Sequence, residues 1–155
     1  MIKWFAAAAA IVCATPAMAA DWYLVSTAST NASAIFVDKD SIADAAAGAT
    51  RSSIYTVLSS DDSKGAAAYR YTLDFNCSAN QYSFVHLTVF DATGKTIADQ
   101  AGSGKPHPVV AGSQFESMEQ FTCSHGMAPT DSKAWGPDMS VSRGRAMLTA
   151  KASGN

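Results

Sequence analysis

Tyr69-Arg70-Tyr71-Thr72-Leu73-Asp74-Phe75-Asn76-Cys77 alternates apolar and polar residues almost without a break. Successive side chains of a strand point to opposite faces. Tyr69, Tyr71, Leu73, Phe75 and Cys77 therefore share one face, and Arg70, Thr72, Asp74 and Asn76 the other. One apolar face and one wet face indicate an antiparallel sheet rather than a parallel one buried on both sides. Cys77 lies on the apolar side, a setting that suits a structural disulfide better than a reactive thiol.

Working outward, five more segments read as strands from their β-branched and aromatic content. They are Trp22–Val25, Ile35–Val37, Ser53–Leu58, Tyr82–Phe90 and Thr96–Ala98, with the first two expected to form a hairpin. Along Tyr82–Phe90 the alternation puts Val85, Leu87 and Val89 on one face and Phe84, His86, Thr88 and Phe90 on the other. Both faces are partly apolar, so the strand is expected inside the sheet. Asp91-Ala92-Thr93-Gly94 reads as a type I turn closed by a glycine free to take positive φ. Asp38 to Ile42 is expected to leave the sheet, with Asp40 or Ser41 capping a helical turn through Ala45–Ala47 that Gly48 ends. Ser59–Gly65 reads as an exposed connection and Gly102–Pro108 as a loop.

Ser113-Gln114-Phe115-Glu116 has the spacing of a capping box. Phe115, Met118 and Thr122 then share one helical face, which predicts a short helix from Gln114 to Cys123, ended by Gly126 and Pro129. The fold class is thus α+β: a small antiparallel sheet of about six strands with a short helix. Residues 129–155, polar and rich in Gly, Ser and Ala, are expected to be a disordered tail with at most a helical turn near Ala146–Leu148.

The N-terminus carries one positive charge at Lys3, an alanine-rich apolar core, Pro16 and the box Ala17-Met18-Ala19. That is the layout of a cleaved secretory signal. The core is too short and too broken for the roughly twenty residues that span a bilayer. Cleavage is expected between Ala19 and Ala20, or alternatively between Ala20 and Asp21, which discards Cys13 and leaves residues 20–128 as one β-rich domain before the tail. The mature chain keeps ten bases against thirteen acids, a net charge of −3. With no basic face, nucleic acid and anionic lipid are poor partners, and no later apolar run reaches spanning length.

Two cysteines remain, Cys77 and Cys123. An even number in an exported chain reads as a disulfide, and closing a loop of about 46 residues stabilises by roughly 4 kcal/mol on the chain-entropy model. Two free thiols or an intermolecular bridge is the competing reading. The histidines are His86, His107 and His125. Cys77, Cys123, His107 and His125 could supply four zinc ligands, but they lack a C-x-x-C or H-x₃-H core and an oxidised pair cannot ligate. His86, in mid-strand, reads as structural. No nucleophile elbow, zinc-protease helix or phosphate-binding loop occurs. The two glutamates, Glu116 and Glu119, read as a cap and a solvated face. Asp61 and Asp62 lack the i, i+2, i+4 spacing of a calcium loop. The chain is therefore expected to have no cofactor, no metal and no catalytic residue.

Trp22, Phe36-Val37-Asp38…Ser41-Ile42, Asn76-Cys77, Phe90-Asp91-x-x-Gly94, Gly112-Ser113 and Cys123 follow one another in an order that resembles the bacterial surface-adhesin protein E-like family. The match covers roughly Trp22 to Cys123. Asn76 stands where the family pattern has Asp, and Ala111 where it has Pro. The resemblance implies an exported, non-enzymatic cell-envelope protein, in the periplasm or on the outer surface, that acts by binding another protein. The best-known member binds host extracellular-matrix and serum proteins. The alternative is a periplasmic inhibitor or small-ligand-binding module, which would need a concave aromatic pocket rather than a flat strand edge.

Overall fold

Four consecutive buried residues in each of two strands, Ala34–Val37 and Ile54–Val57, show that the sheet is covered on both faces at its centre. The computed structural model describes residues 20–28, 32–127 and 133–153. The expected signal segment and Pro129 lie outside them. The elements are β1 (Trp22–Thr27), β2 (Ser33–Asp44), β3 (Thr50–Leu58), β4 (Ala68–Asn76), β5 (Gln81–Phe90), β6 (Thr96–Ala101), β7 (Pro106–Pro108), α1 (Gln114–Cys123), β8 (Lys133–Gly136) and α2 (Val141–Ala152). Among the described residues all strand pairs are antiparallel, in the order β6-β5-β4-β3-β2-β1-β8, with β7 also pairing β5.

The α+β class and the helix α1 are as the residue pattern predicts. Ile35, Val37, Ile54, Leu73 and Phe75 bury one face of the sheet against Met118 and Phe121 of α1. The Cys77–Cys123 disulfide joins the helix end to the end of β4, with 5.8 Å between the two Cα atoms. Ser52 and Thr122, both fully buried, satisfy each other's hydroxyls at 2.8 Å. Phe121 and Thr122 close the helix through a Schellman pair: Gly126 N–H donates to the Phe121 carbonyl and His125 N–H to that of Thr122, both at 2.9 Å. His125 therefore occupies the left-handed position, φ +52°, where glycine is usual.

The capping box forms only in part. Ser113 is the N-cap residue but its hydroxyl makes no cap bond and is buried without a partner among the described residues. Glu116 reaches back to the N–H of Gly112, at 2.7 Å, one residue before the expected target. Glu119 corrects the expectation of a solvated face. It is 8% exposed, and burial, with a smaller push from Glu116, raises its carboxyl above the ordinary glutamate value.

The tail is the larger correction. Residues 133–136 form β8 on the outer side of β1, and 141–152 form α2 across the face opposite α1. Val141 and Leu148 of α2 pack with Trp22, Phe36, Tyr55 and Val57. Gly144 lets the helix approach: a Cβ there would meet Val57 Cγ2 at 2.7 Å. The polar residues that suggest disorder are anchors. Ser140 caps α2 by accepting from Arg143 N–H at 3.2 Å. Arg143 donates to the carbonyls of Asp138 and Trp135 and lies over the Trp135 ring. Arg145 donates to the Leu58 carbonyl and to Asp61, and Lys151 to Thr27 Oγ1.

Three local expectations change as well. The segment after Asp38 bulges but rejoins the ladder: Asp38 pairs with Ser53 and Ala43 with Arg51, and Ser41 Oγ bridges the Asp38 carbonyl and the Ser53 N–H. The helical turn at Ala46–Gly48 forms with Ala45 at its start and no side-chain cap, so neither Asp40 nor Ser41 serves it. The Gly102–Pro108 loop contains β7, whose prolines sit on an edge where no ladder donor is needed. The turn at Asp91 forms as read, with the aspartate accepting the N–H groups of Thr93 and Lys95 and Gly94 at φ +83°.

Candidate binding surface

The strand pairing of β5 decides where its aromatic rings go. Phe84 pairs with Leu73 but His86 pairs with Thr72, so Val85 is an extra residue and the alternation changes phase there. Phe84 therefore joins Tyr82, Leu87 and Val89 on the face that carries α1, instead of the face shared with His86, Thr88 and Phe90. This corrects the simple alternation read from the sequence.

α1 covers β1, β2, β3 and the Leu73–Phe75 end of β4, and reaches β5 at Tyr82, on which Phe115 stacks with 4.1 Å between ring centroids. Beyond that point no helix among the described residues covers the same face. A row of rings crosses it: Tyr82 to Phe84 at 5.6 Å, Phe84 to Tyr71 at 5.5 Å and Tyr71 to Tyr69 at 6.0 Å. His107 stacks against Tyr82 at one end. All of these rings except the exposed His107 are half-buried, and Ile97 of β6 beside the row is 46% exposed.

The phenols are uncharged at any physiological pH. The hydrogen bond that Tyr69 donates to Asp62 at 2.6 Å, together with some burial, pushes its pKa up to about 12. Burial alone pushes Tyr71 up to about 12. Asp62 is lowered in turn by the Tyr69 bond and by the N–H groups of Ala66 and Lys64. That loop aspartate therefore organises Ser59–Gly65 against the ring row. The surface presents rings and neutral hydroxyls, the chemistry enriched at protein contact sites.

The sequence-derived candidates do not converge on one site. Cys77 and Cys123 are bonded to each other, which leaves them no thiolate to offer. His107 is on β7 and His125 ends α1. His86, read as structural, lies on the opposite face, within 2.7 Å of Asp99, which also accepts from Thr88. Asp61 pairs with Arg145 and Asp62 with its own loop. Among the described residues no three His, Cys, Asp or Glu side chains form a group able to hold a metal. Tyr69 and Tyr71 were legible as one face of a strand, but they read as core; no sequence signal showed that α1 stops short of them.

The surface-adhesin protein E family model matches residues 22–124, which spans β1 through α1. The chain belongs to that family. No curated protein and no solved structure matches it. Membership in a surface-adhesin family implies an exported or cell-surface protein, and the disulfide agrees with an oxidising compartment. Among the described residues no helix is long and apolar enough to cross a membrane. The matched region ends at α1, so β8 and α2 lie outside it.

Proposed function

We propose that this family member is a non-enzymatic envelope protein that binds other proteins through the bare half of its α1-side face. The observation that carries this reading is the half-exposed ring row Tyr82–Phe84–Tyr71–Tyr69 beside the exposed Ile97, set within the region that matches the surface-adhesin protein E family. The rings run in a line, edge-to-face at Tyr82–Phe84, tilted at Phe84–Tyr71 and stacked only at Tyr71–Tyr69, and they border open clefts rather than an enclosed cavity, which favours an extended contact over a small ligand. The outer surface is the location that fits this role, reached by export and removal of residues 1–19.

The test has two arms. Intact cells are treated with added protease, and immobilised extracellular-matrix and serum proteins are probed with the purified chain and with Ile97→Asp. Digestion on intact cells, with saturable binding to at least one probe that falls at least tenfold in Ile97→Asp, supports the reading. Full protection on intact cells moves the protein to the periplasm. Binding that Ile97→Asp leaves unchanged removes the bare half from the account.

A further inference from the structure

Every residue of β6 is exposed, and its outer edge pairs with no strand among the described residues. Backbone direction follows from the ladder. Gly102 N–H donates to the Val85 carbonyl at 2.9 Å. In an antiparallel pair alternate residues face the partner strand, so Ala98 and Gln100 turn their N–H and C=O groups toward β5. Asp99 and Ala101, opposite Thr88 and His86, turn theirs outward. The neighbouring edge segment β7 is blunted by Pro106 and Pro108, and β8 at the far edge is four residues long. β6 carries no proline. Its one charge, Asp99, is held on the opposite face by His86 and Thr88.

Side chains on the ring-row face repeat the same spacing. Ala98 borders an open cleft of about 410 Å³ with Tyr69, Val89 and Ile97. Gln100 borders a second of about 290 Å³ with Tyr71, Phe84 and Leu87. Residues i and i+2 of a strand lie about 6.6–6.8 Å apart on one face, so an added strand would present alternate side chains to the two clefts. Lys64 lines the first cleft together with Asp62, Lys95 immediately precedes β6 and Lys105 follows it by four residues. Among the described residues none of the three lysines has a carboxylate within 4 Å, Lys64 and Lys95 lying near Asp62 and Asp91 without closing an ion pair.

We propose that β6 is the docking edge for an extended segment of a partner protein, which adds as a further strand with apolar side chains at i and i+2 in the two clefts and acidic residues at its ends. This mode of recognition takes affinity from main-chain hydrogen bonds and specificity from pockets for alternate side chains. The inference rests on the protein-binding reading above and names the partner's chemistry.

The probe is the synthetic peptide acetyl-Asp-Val-Thr-Val-Thr-Asp-amide, with an N-methylated copy and a copy bearing Ser for both Val residues, followed by amide chemical shifts and hydrogen exchange. The expected result is millimolar or tighter binding that slows exchange at Asp99 and Ala101, is lost on N-methylation, and weakens at least fivefold with Ser. Ala101→Pro, which removes an outward N–H, and Ala98→Leu, which fills a cleft, should each weaken binding tenfold. Shifts centred elsewhere, or affinity unchanged in both variants, would overturn the proposal. So would a matrix or serum protein that binds the wild type and Ala101→Pro equally, although the broader adhesin reading would then stand. A concentration-dependent dimer abolished by Ala101→Pro would overturn it by making a second copy of this chain the occupant. Failure of the wild type to bind every matrix, serum and peptide probe would remove both readings.

Discussion

Under α1, Leu73 and Phe75 of β4 are fully buried; two and four residues earlier on the same face of the same strand, Tyr71 and Tyr69 remain partly exposed. The first pair sits beneath a helix tied down by a disulfide, a buried Ser–Thr hydroxyl pair and the Phe121 side chain. Among the described residues the second pair has no helix above it, and its residue types differ accordingly: tyrosines, whose hydroxyls are content in water, replace leucine and phenylalanine. One strand thus serves as core at one end and as surface at the other. The covering helix, more than the strand, decides which end is which.

The largest expected effect comes from releasing the covered half. Replacing Cys77 and Cys123 together by serine should lower stability by about 4 kcal/mol in urea unfolding, and should speed amide exchange in α1 more than in β5. A uniform loss across both halves would show that the staple does not act through the helix. On the opposite face, Gly144→Val should cost about 2 kcal/mol by forcing α2 away from Val57, with exchange rising in α2 and not in α1. If α1 loosens equally, the two covered faces are not independent.

The two halves also respond to pH with opposite sign. Glu119, under α1, has a raised carboxyl, so the fold favours its protonated form; that contribution is full below the ordinary glutamate value and is lost as pH rises through the raised one. Glu119→Gln should therefore stabilise the protein at pH 7 and do so less in acid. Asp62, beside the bare half, is lowered, so its contribution is present above the ordinary aspartate value and fades as pH falls through the lowered one. Thermal unfolding of Asp62→Asn should lose this acid-side dependence and keep that of Glu119. The smallest effect is His125→Gly, which relieves a left-handed φ and should stabilise by about 0.5–1 kcal/mol in the same assay.

Much of this architecture could be read from residues. The alternation at Tyr69–Cys77, the Asp91–Gly94 turn and the Gln114–Cys123 helix all follow from local periodicity and turn chemistry, and the cysteine pairing follows from count and compartment. What escaped reading depends on contacts distant in sequence. α2 buries few residues, chiefly Val141, Gly144 and Leu148, and is held by arginines reaching backbone carbonyls, so its composition resembles a solvated tail. A hint lay in Ala34–Val37 and Ile54–Val57, whose two-sided apolar character required a second covering layer. The bulge at Val85 reversed the side assigned to Phe84, and with it hid the ring row. That α1 is too short to reach Tyr69 and Tyr71 follows only from where the disulfide places it.

The most direct measurement is hydroxyl-radical footprinting of aromatic side chains in the intact protein and in the double serine variant at Cys77 and Cys123. The account predicts modification of Tyr69, Tyr71 and Phe84 in both, with Phe75 and Phe121 protected in the intact protein and modified when the staple is removed. Protection of Tyr69, Tyr71 and Phe84 to the level of Phe75 in the intact protein would contradict it, because the face described as bare would then be covered.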